Sequence, residues 1–174
     1  MKSYSQFGED VLLWEYFGGK RDGFFVEVGA NHPTVYSQTW LLAEQGWKGI
    51  LVEPISRNCQ LLKQQRSESL VFNCALAGRE KRGRAQFHVA ANGDGTSTLA
   101  VNEGVTVERV EEVDVRTLDD ILAEAGNPKI GFVSIDVEGA GRPANGNLNL
   151  PAFPRSEAES RVGFFEAQLC ESAF

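Results

Sequence analysis

Apolar residues fall along this chain in short dense runs separated by amphipathic stretches, a rhythm that predicts a sheet with helices packed against it. Phe24 to Val28 is nearly continuous and interrupted only by Glu27, as expected of a parallel strand covered on both faces. Gly49 to Glu53 (GILVE), Leu70 to Leu76 (LVFNCAL) and Ile130 to Ile135 supply three more candidate strands. After the first strand, Gly29 permits a close backbone approach, Asn31 or Thr34 suits a cap, and Pro33 suits a first helical turn. Val35, Thr39 and Leu42 then recur at helical spacing before Gly46, which predicts a helix directly after the strand. Pro54 and Ser56 open a second helix with Ile55, Cys59 and Leu62 on one face. Helices of this length between successive strands make right-handed crossovers, so the fold class is α/β with a parallel, doubly wound sheet.

The flanking segments extend this pattern. Ser5 to Phe17 carries Val11, Leu12, Trp14 and Phe17 at near-helical spacing, with Ser5, Glu9 and Asp10 where a cap and the positive helix end favour them. From Gly78 to Val115 a basic turn (REKRGR), the alternating AQFHVA, the loop GDGTST and the partly alternating VTVERVEEVDV predict a hairpin-like excursion. Thr117 and Asp120 form a capping-box start, and Gly126, Asn127 and Pro128 end the helix that follows. Beyond Gly139 the chain is rich in Gly, Pro and Asn without helical or strand period, and Arg161 to Phe174 has the pattern of at most a short helix.

At 174 residues and 42% hydrophobic content the chain is long and apolar enough for one domain with a core. Its formal charge of -7 argues against nucleic acid or anionic membrane as partner and favours a small or neutral one. Cys59, Cys74 and Cys170 lack metal or disulfide spacing, and no stretch approaches a membrane span, so reduced thiols and a cytoplasmic location are expected.

In a doubly wound sheet, ligands sit beyond the carboxyl ends of the strands, which brings Glu27 to Asn31, Glu53, Asn73 to Leu76 and Asp136 to Gly139 around one crevice. Glu53, ending an apolar strand about 24 residues past Gly29, has the position from which a carboxylate accepts both ribose hydroxyls. A dinucleotide fingerprint needs glycines where Asn31 and Thr34 stand, and no GxxxxGK[ST] phosphate loop is present. A phosphate-free cofactor with cationic groups, such as S-adenosylmethionine, gives Glu27 and Asp136 a reason to face the crevice. Candidate bases for a hydroxyl nucleophile are Asp136, Glu138 and His32, with Asp136 first. Glu27 has a second reading, as a carboxylate bonding the amides of its own turn.

These residues resemble the FkbM-type methyltransferases, of the Rossmann-like class I S-adenosylmethionine-dependent enzymes. The resemblance covers roughly residues 4 to 139 and rests on SQFGED (Ser5 to Asp10), FVEVGANHP (Phe25 to Pro33), GILVEP (Gly49 to Pro54), NCAL (Asn73 to Leu76), VDVRTLDDIL (Val113 to Leu122) and SIDVEG (Ser134 to Gly139). It implies that Glu27, Gly29 and Asn31 line the methionine end, that Glu53 binds the ribose and that Asn73 to Ala75 flank the adenine. It places Asp136 near the reacting centre, with Ser5, Gln6 and Asp10 as further pocket candidates. The implied reaction is O-methylation of a hydroxyl on a sugar or small natural product.

The chain departs from that family after Gly139, where a helix of the type xELxVLRG and further strands are expected. Common codons for Gly139 to Ala144, taken one base out of phase, give triplets that can encode Glu-Leu-Asp-Val-Leu-Arg. The expectation is therefore an incomplete domain over residues 1–139, its C-terminal strands missing, and an irregular, out-of-frame tail over 140–174. The fourth strand would then be an exposed edge open to self-association, and the alternative function is an inactive remnant that at most binds cofactor or a partner.

Overall fold

A computed structural model describes residues 1–91, 97–99 and 106–136, together with the backbone of residues 163–165. In chain order the elements are α1 (Glu9–Tyr16), β1 (Phe24–Val28), α2 (Trp40–Glu44), β2 (Lys48–Val52), α3 (Ser56–Gln65), β3 (Ser69–Phe72), β4 (Ala75–Leu76), β5 (Gly83–Ala90), β6 (Val107–Arg116), α4 (Leu118–Glu124), β7 (Phe132–Ile135) and β8 (Gly163–Phe165). The main sheet has the order β3-β2-β1-β7-β8, with every neighbouring pair parallel. The chain winds outward from β1 to β3, then crosses back to lay β7 on the other side of β1. Strand order reverses there, and a crevice opens beyond the strand ends.

Alternation along the strands decides which helix covers which face. Phe25, Leu51 and Phe132 point to one side, where they cluster with Leu13 of α1, Leu42 of α2, Leu62 of α3 and Trp47. Val26, Val28, Ile50, Val52 and Val133 point to the other and pack with Leu118 and Ile121 of α4. Both faces are therefore covered, which is why these strands read as nearly unbroken apolar runs. No helix among the described residues is long and apolar enough to cross a membrane.

The hairpin excursion forms as expected, β5 running antiparallel to β6 from Gly83↔Val115 to Ala90↔Val107. The short β4 joins β6 in parallel, giving a second, mixed sheet whose core is Ile55, Ala75, Phe87, Val89, Val113 and Val115. The Thr117 capping box at the start of α4 is present, with side-chain and backbone bonds running both ways between Thr117 and Asp120.

The structure corrects several boundaries. The helix expected straight after β1 is only the five residues of α2, because Asn31 (φ 48°) and Tyr36 (φ 60°) take left-handed conformations that a right-handed helix cannot contain. The expected third strand is split at Asn73, its first part in the main sheet and its second in the mixed one. Asn73 Nδ2 donates at 2.9 Å to the carbonyls of both Glu53 and Pro54, and those bonds fasten the break to the end of β2. The first helix starts at Glu9, not Ser5. Ser5 instead donates to the wholly buried Asp10, which also accepts from Ser3 Oγ (2.6 Å), Tyr4 N (2.7 Å) and Val11 N (2.9 Å).

The tail expectation also changes. Gly163–Phe165 pairs in parallel with Phe132, Val133 and Ser134, so β7 is no exposed edge over those residues. A strand apolar on both faces leaves a row of unpaired amides and carbonyls when it ends a sheet, and even three residues of chain satisfy part of that row. The possible short helix near residue 161 is replaced by strand at 163–165, and the remainder of that expectation lies outside the described residues.

Phe132 is fully buried between the sheet and its helices, whereas Val110 on β6 is half exposed. Phe132→Ala is expected to lower the unfolding free energy by about 3–5 kcal/mol, and Val110→Ala by less than about 0.5 kcal/mol, in urea titrations followed by tryptophan fluorescence.

Candidate active site

Beyond the ends of β1, β2 and β7 the loops converge on a single crevice. Its lining includes Glu27 to Asn31, Val35, Tyr36, Gln38, Val52 to Ile55, Cys74 to Leu76, Phe87, Ser97 to Leu99, Ser134 and Asp136. Three carboxylates, Glu27, Glu53 and Asp136, stand in this wall, and among the described residues no Lys, Arg or His does. A site so constituted repels phosphate and attracts a cation.

Glu53 follows β2 and is almost fully buried. Its Oε2 accepts the Asn31 amide and its Oε1 the Ile55 amide, each at 2.8 Å, so one carboxylate holds both the turn after β1 and the entry to α3. Asn31 is held a second time through its side-chain oxygen, which accepts from Asn58 Nδ2 at 2.9 Å. These bonds fix the plane of the Glu53 carboxylate at the crevice wall, and a carboxylate offers about four acceptor positions in all.

Glu27 is buried within β1. Its Oε1 accepts the Gln38 amide (3.1 Å), and its Oε2 accepts the hydroxyls of Thr39 and Ser37. The reading as a carboxylate that bonds the loop after β1 is thus met, and the same residue stands in the crevice wall. Burial pushes its carboxyl above the usual range, opposed by Arg66 and by the hydrogen bonds from Thr39, Gln38 and Ser37. Asp136 lies just past β7 as an exposed residue, yet partial desolvation of its carboxyl raises it as well.

Gly29 makes the junction of β1 and β7 possible. Its φ is +78°, and a Cβ there would stand 2.0 Å from the Asp136 carbonyl oxygen. Its amide, with that of Ala30, donates to Val52 O, while the Asp136 amide donates to Val28 O. The three strand ends are therefore laced together by backbone alone.

Of the residues expected from sequence, Glu27, Gly29, Asn31, Glu53, Ala75 and Asp136 all line the crevice. Asn73 does not; its side chain supports the Glu53 to Ser56 turn from behind. Glu138 lies outside the described residues. His32 is not a wall residue either, since its Nδ1 accepts the amides of Thr34 and Val35. Ser5, Gln6 and Asp10 likewise lie off the crevice wall. The Cys74 thiol, pushed up to about 11 by burial, stays protonated and contributes apolar surface.

Sequence reasoning missed Gln38, Ser134, Phe87 and Ser97 to Leu99. Gln38 Oε1 accepts from Ser134 Oγ at 2.7 Å, joining the loop after β1 to β7. Ser97 to Leu99 arrive because Thr98 bridges His88 on β5, with backbone bonds of 2.8 and 3.0 Å, and Ser97 Oγ accepts the Ala90 amide. The only sequence signal for these was the polar GDGTST interrupting an otherwise alternating hairpin.

A parallel α/β sheet with a strand reversal and a carboxylate-lined crevice beyond the strand ends is the Rossmann-like architecture, in which nucleoside cofactors bind at that crevice. Within it, residues 27–144 match the methyltransferase FkbM domain, more than half the chain. The chain belongs to the FkbM methyltransferase family and is an S-adenosylmethionine-dependent methyltransferase. Comparisons with curated proteins and with solved structures give no match.

Gly29→Ala is expected to cost at least about 2 kcal/mol, because strain and collision with the Asp136 carbonyl add. Gly126→Ala shares the left-handed conformation (φ +82°) but meets nothing within 4 Å, and is expected to cost about 1 kcal/mol. Parallel urea titrations of the two variants measure the difference.

Proposed function

We propose that this methyltransferase acts on a hydroxyl of a sugar or small natural product, with the cofactor across the β1, β2 and β7 ends and Asp136 as the base. The observation that carries the reading is the crevice wall itself: three carboxylates and, among the described residues, no basic side chain, a match for a cofactor with an ammonium, a sulfonium and a ribose but no phosphate. Bound S-adenosylmethionine supplies a methyl group on a sulfonium, open to in-line displacement. The protein's own contribution is position, worth up to about 7–11 kcal/mol in well-oriented systems.

In this reading Glu53 accepts the ribose hydroxyls, and Glu27, Gly29 and Asn31 surround the methionine end. Adenine lies against the apolar surface of Cys74 to Leu76, Phe87 and Leu99, with Asn73 contributing only through the turn it braces. Asp136 receives the hydroxyl proton; a carboxyl raised by desolvation is, in its ionised form, a stronger base than an ordinary aspartate. Acceptor chemistry finds support in Tyr36, whose exposed ring at the crevice wall sits on a left-handed backbone. Holding a bulky residue there costs about 1–2 kcal/mol, and a flat aromatic face suits the apolar side of a sugar or another ring. In the same reading the class I domain spans residues 1–139, and residues 140–174 are an appended tail that adds β8 to the main sheet beside β7; the coding DNA tests the frame.

Calorimetric titration with S-adenosylhomocysteine is expected to give heat, and titration with NAD none. Glu53→Gln and Glu53→Ala should weaken the first ligand by about 1.5–3 kcal/mol, roughly 10- to 150-fold. A folded sample silent towards S-adenosylhomocysteine refutes the reading, and heat without methyl transfer to any member of a hydroxyl panel points to a binding module instead.

Asp136→Asn is expected to leave S-adenosylhomocysteine binding within a few-fold while methyl transfer falls about 10²–10⁴-fold. Wild-type turnover should decline as pH drops through the raised Asp136 carboxyl, since protonation removes the base. Mass-spectrometric product formation against pH reads both effects.

A further inference from the structure

Arg66 caps the C-terminal end of α3 and is only 3% exposed, with its guanidinium near the rings of Phe25 and Trp40. Its Nη1 donates to Pro33 O (3.0 Å) and Ser37 Oγ (3.3 Å), and its Nη2 to Thr39 Oγ1 (3.0 Å). Ser37 and Thr39 are the same hydroxyls that donate to Glu27 Oε2. Two buried opposite charges therefore communicate through a pair of hydroxyls.

The direction of that relay is forced. A guanidinium has donors only, so each hydroxyl accepts from Arg66, and with Glu27 ionised and acceptor-only each turns its single proton towards that carboxylate. The Gln38 amide adds a third donor. A protonated Glu27 would need an acceptor for its own proton, so one of these hydroxyls would have to rotate its proton away and give up its bond to the carboxyl. Burial favours the neutral acid and raises the carboxyl, and the cation behind the hydroxyls opposes it together with the hydrogen bonds from Thr39, Gln38 and Ser37.

We propose that Arg66 is a positioning residue of the cofactor crevice, acting through Ser37 and Thr39 to keep the Glu27 carboxylate ionised and the Gln38 loop seated against Ser134. This rests on the crevice being the S-adenosylmethionine site, where an ionised Glu27 favours the cationic methionine end. The groups bearing on Glu27 are Arg66 from the end of α3 and the neutral Ser37, Gln38 and Thr39 from the loop; Glu53 beyond β2 and Asp136 beyond β7 are the other carboxylates of the same wall. Loss of the cation frees the hydroxyls to rotate, and Glu27 then takes up a proton at higher pH.

The test is a pH titration of ¹³C-labelled glutamate carboxyls, the Glu27 signal assigned by its loss in Glu27→Gln, alongside S-adenosylmethionine affinity from about pH 5 to about pH 8. In Arg66→Met the Glu27 carboxyl should titrate at higher pH than in wild type. Affinity in this variant should also weaken as pH falls, by up to about tenfold per unit below the new midpoint. Thr39→Val breaks one arm of the relay while keeping both charges, and should move the Glu27 titration in the same direction even if Arg66→Met does not fold. A Glu27 titration that matches wild type in a folded Arg66→Met or Thr39→Val protein overturns the inference. If the titrations separate but wild type binds neither S-adenosylmethionine nor S-adenosylhomocysteine, the assignment of the crevice falls and the Arg66 relay stands.

Discussion

A carboxylate at the end of a strand buried on both faces must be satisfied by hydrogen bonds from whatever chain passes it, and this protein answers that constraint at adjacent strands. Glu53 draws in the Asn31 and Ile55 amides, which ties the turn after β1 to the start of α3. Glu27 draws in Ser37, Gln38 and Thr39, which pulls the segment after that turn back over the sheet. The crevice is the space between these fastened loops. Its acidity and its geometry thus have one origin, since the groups that organise the loops also line the site.

The second sheet gives the crevice its other wall. A strand that stayed in the main sheet through Leu76 would leave β4 unable to pair with β6 and would remove Cys74 to Leu76 from the site. Asn73 marks the departure: its amide satisfies the Glu53 and Pro54 carbonyls, which compensates the backbone for leaving the ladder. The hairpin then carries Phe87 and Ser97 to Leu99 inward, and Glu111 on β6 accepts the Ser56 amide at 3.1 Å, joining the hairpin to the helix entry just after Glu53. Crevice-facing surface from two sheets is in this way referred to one short turn.

Much of the site was legible before any tertiary information. Glu27, Gly29, Glu53 and Asp136 stand at the ends of dense apolar runs, and parallel strands bring such ends together whatever the loops do. Residues in the loops were not legible, because their placement depends on partners distant in sequence. Gln38 reaches the wall through Ser134, nearly a hundred positions away, and Thr98 through pairing with β5. The helix expected across Val35 and Thr39 failed for the same reason: buried Glu27 claims the Thr39 and Ser37 side chains, and that tertiary demand outweighs a local apolar period.

The sequence by itself determined the parallel sheet, the α/β class and the family, because strand runs, turn glycines and caps act over a few residues and carry their physics locally. Tertiary structure alone decided that Asn73 is a brace while Cys74 and Ala75 form wall, that His32 is tied up in its own turn, and that Arg66 stands behind Glu27. Each of these depends on which donor meets which buried acceptor. Burial makes that pairing obligatory, and only the folded chain says who is near enough to supply it.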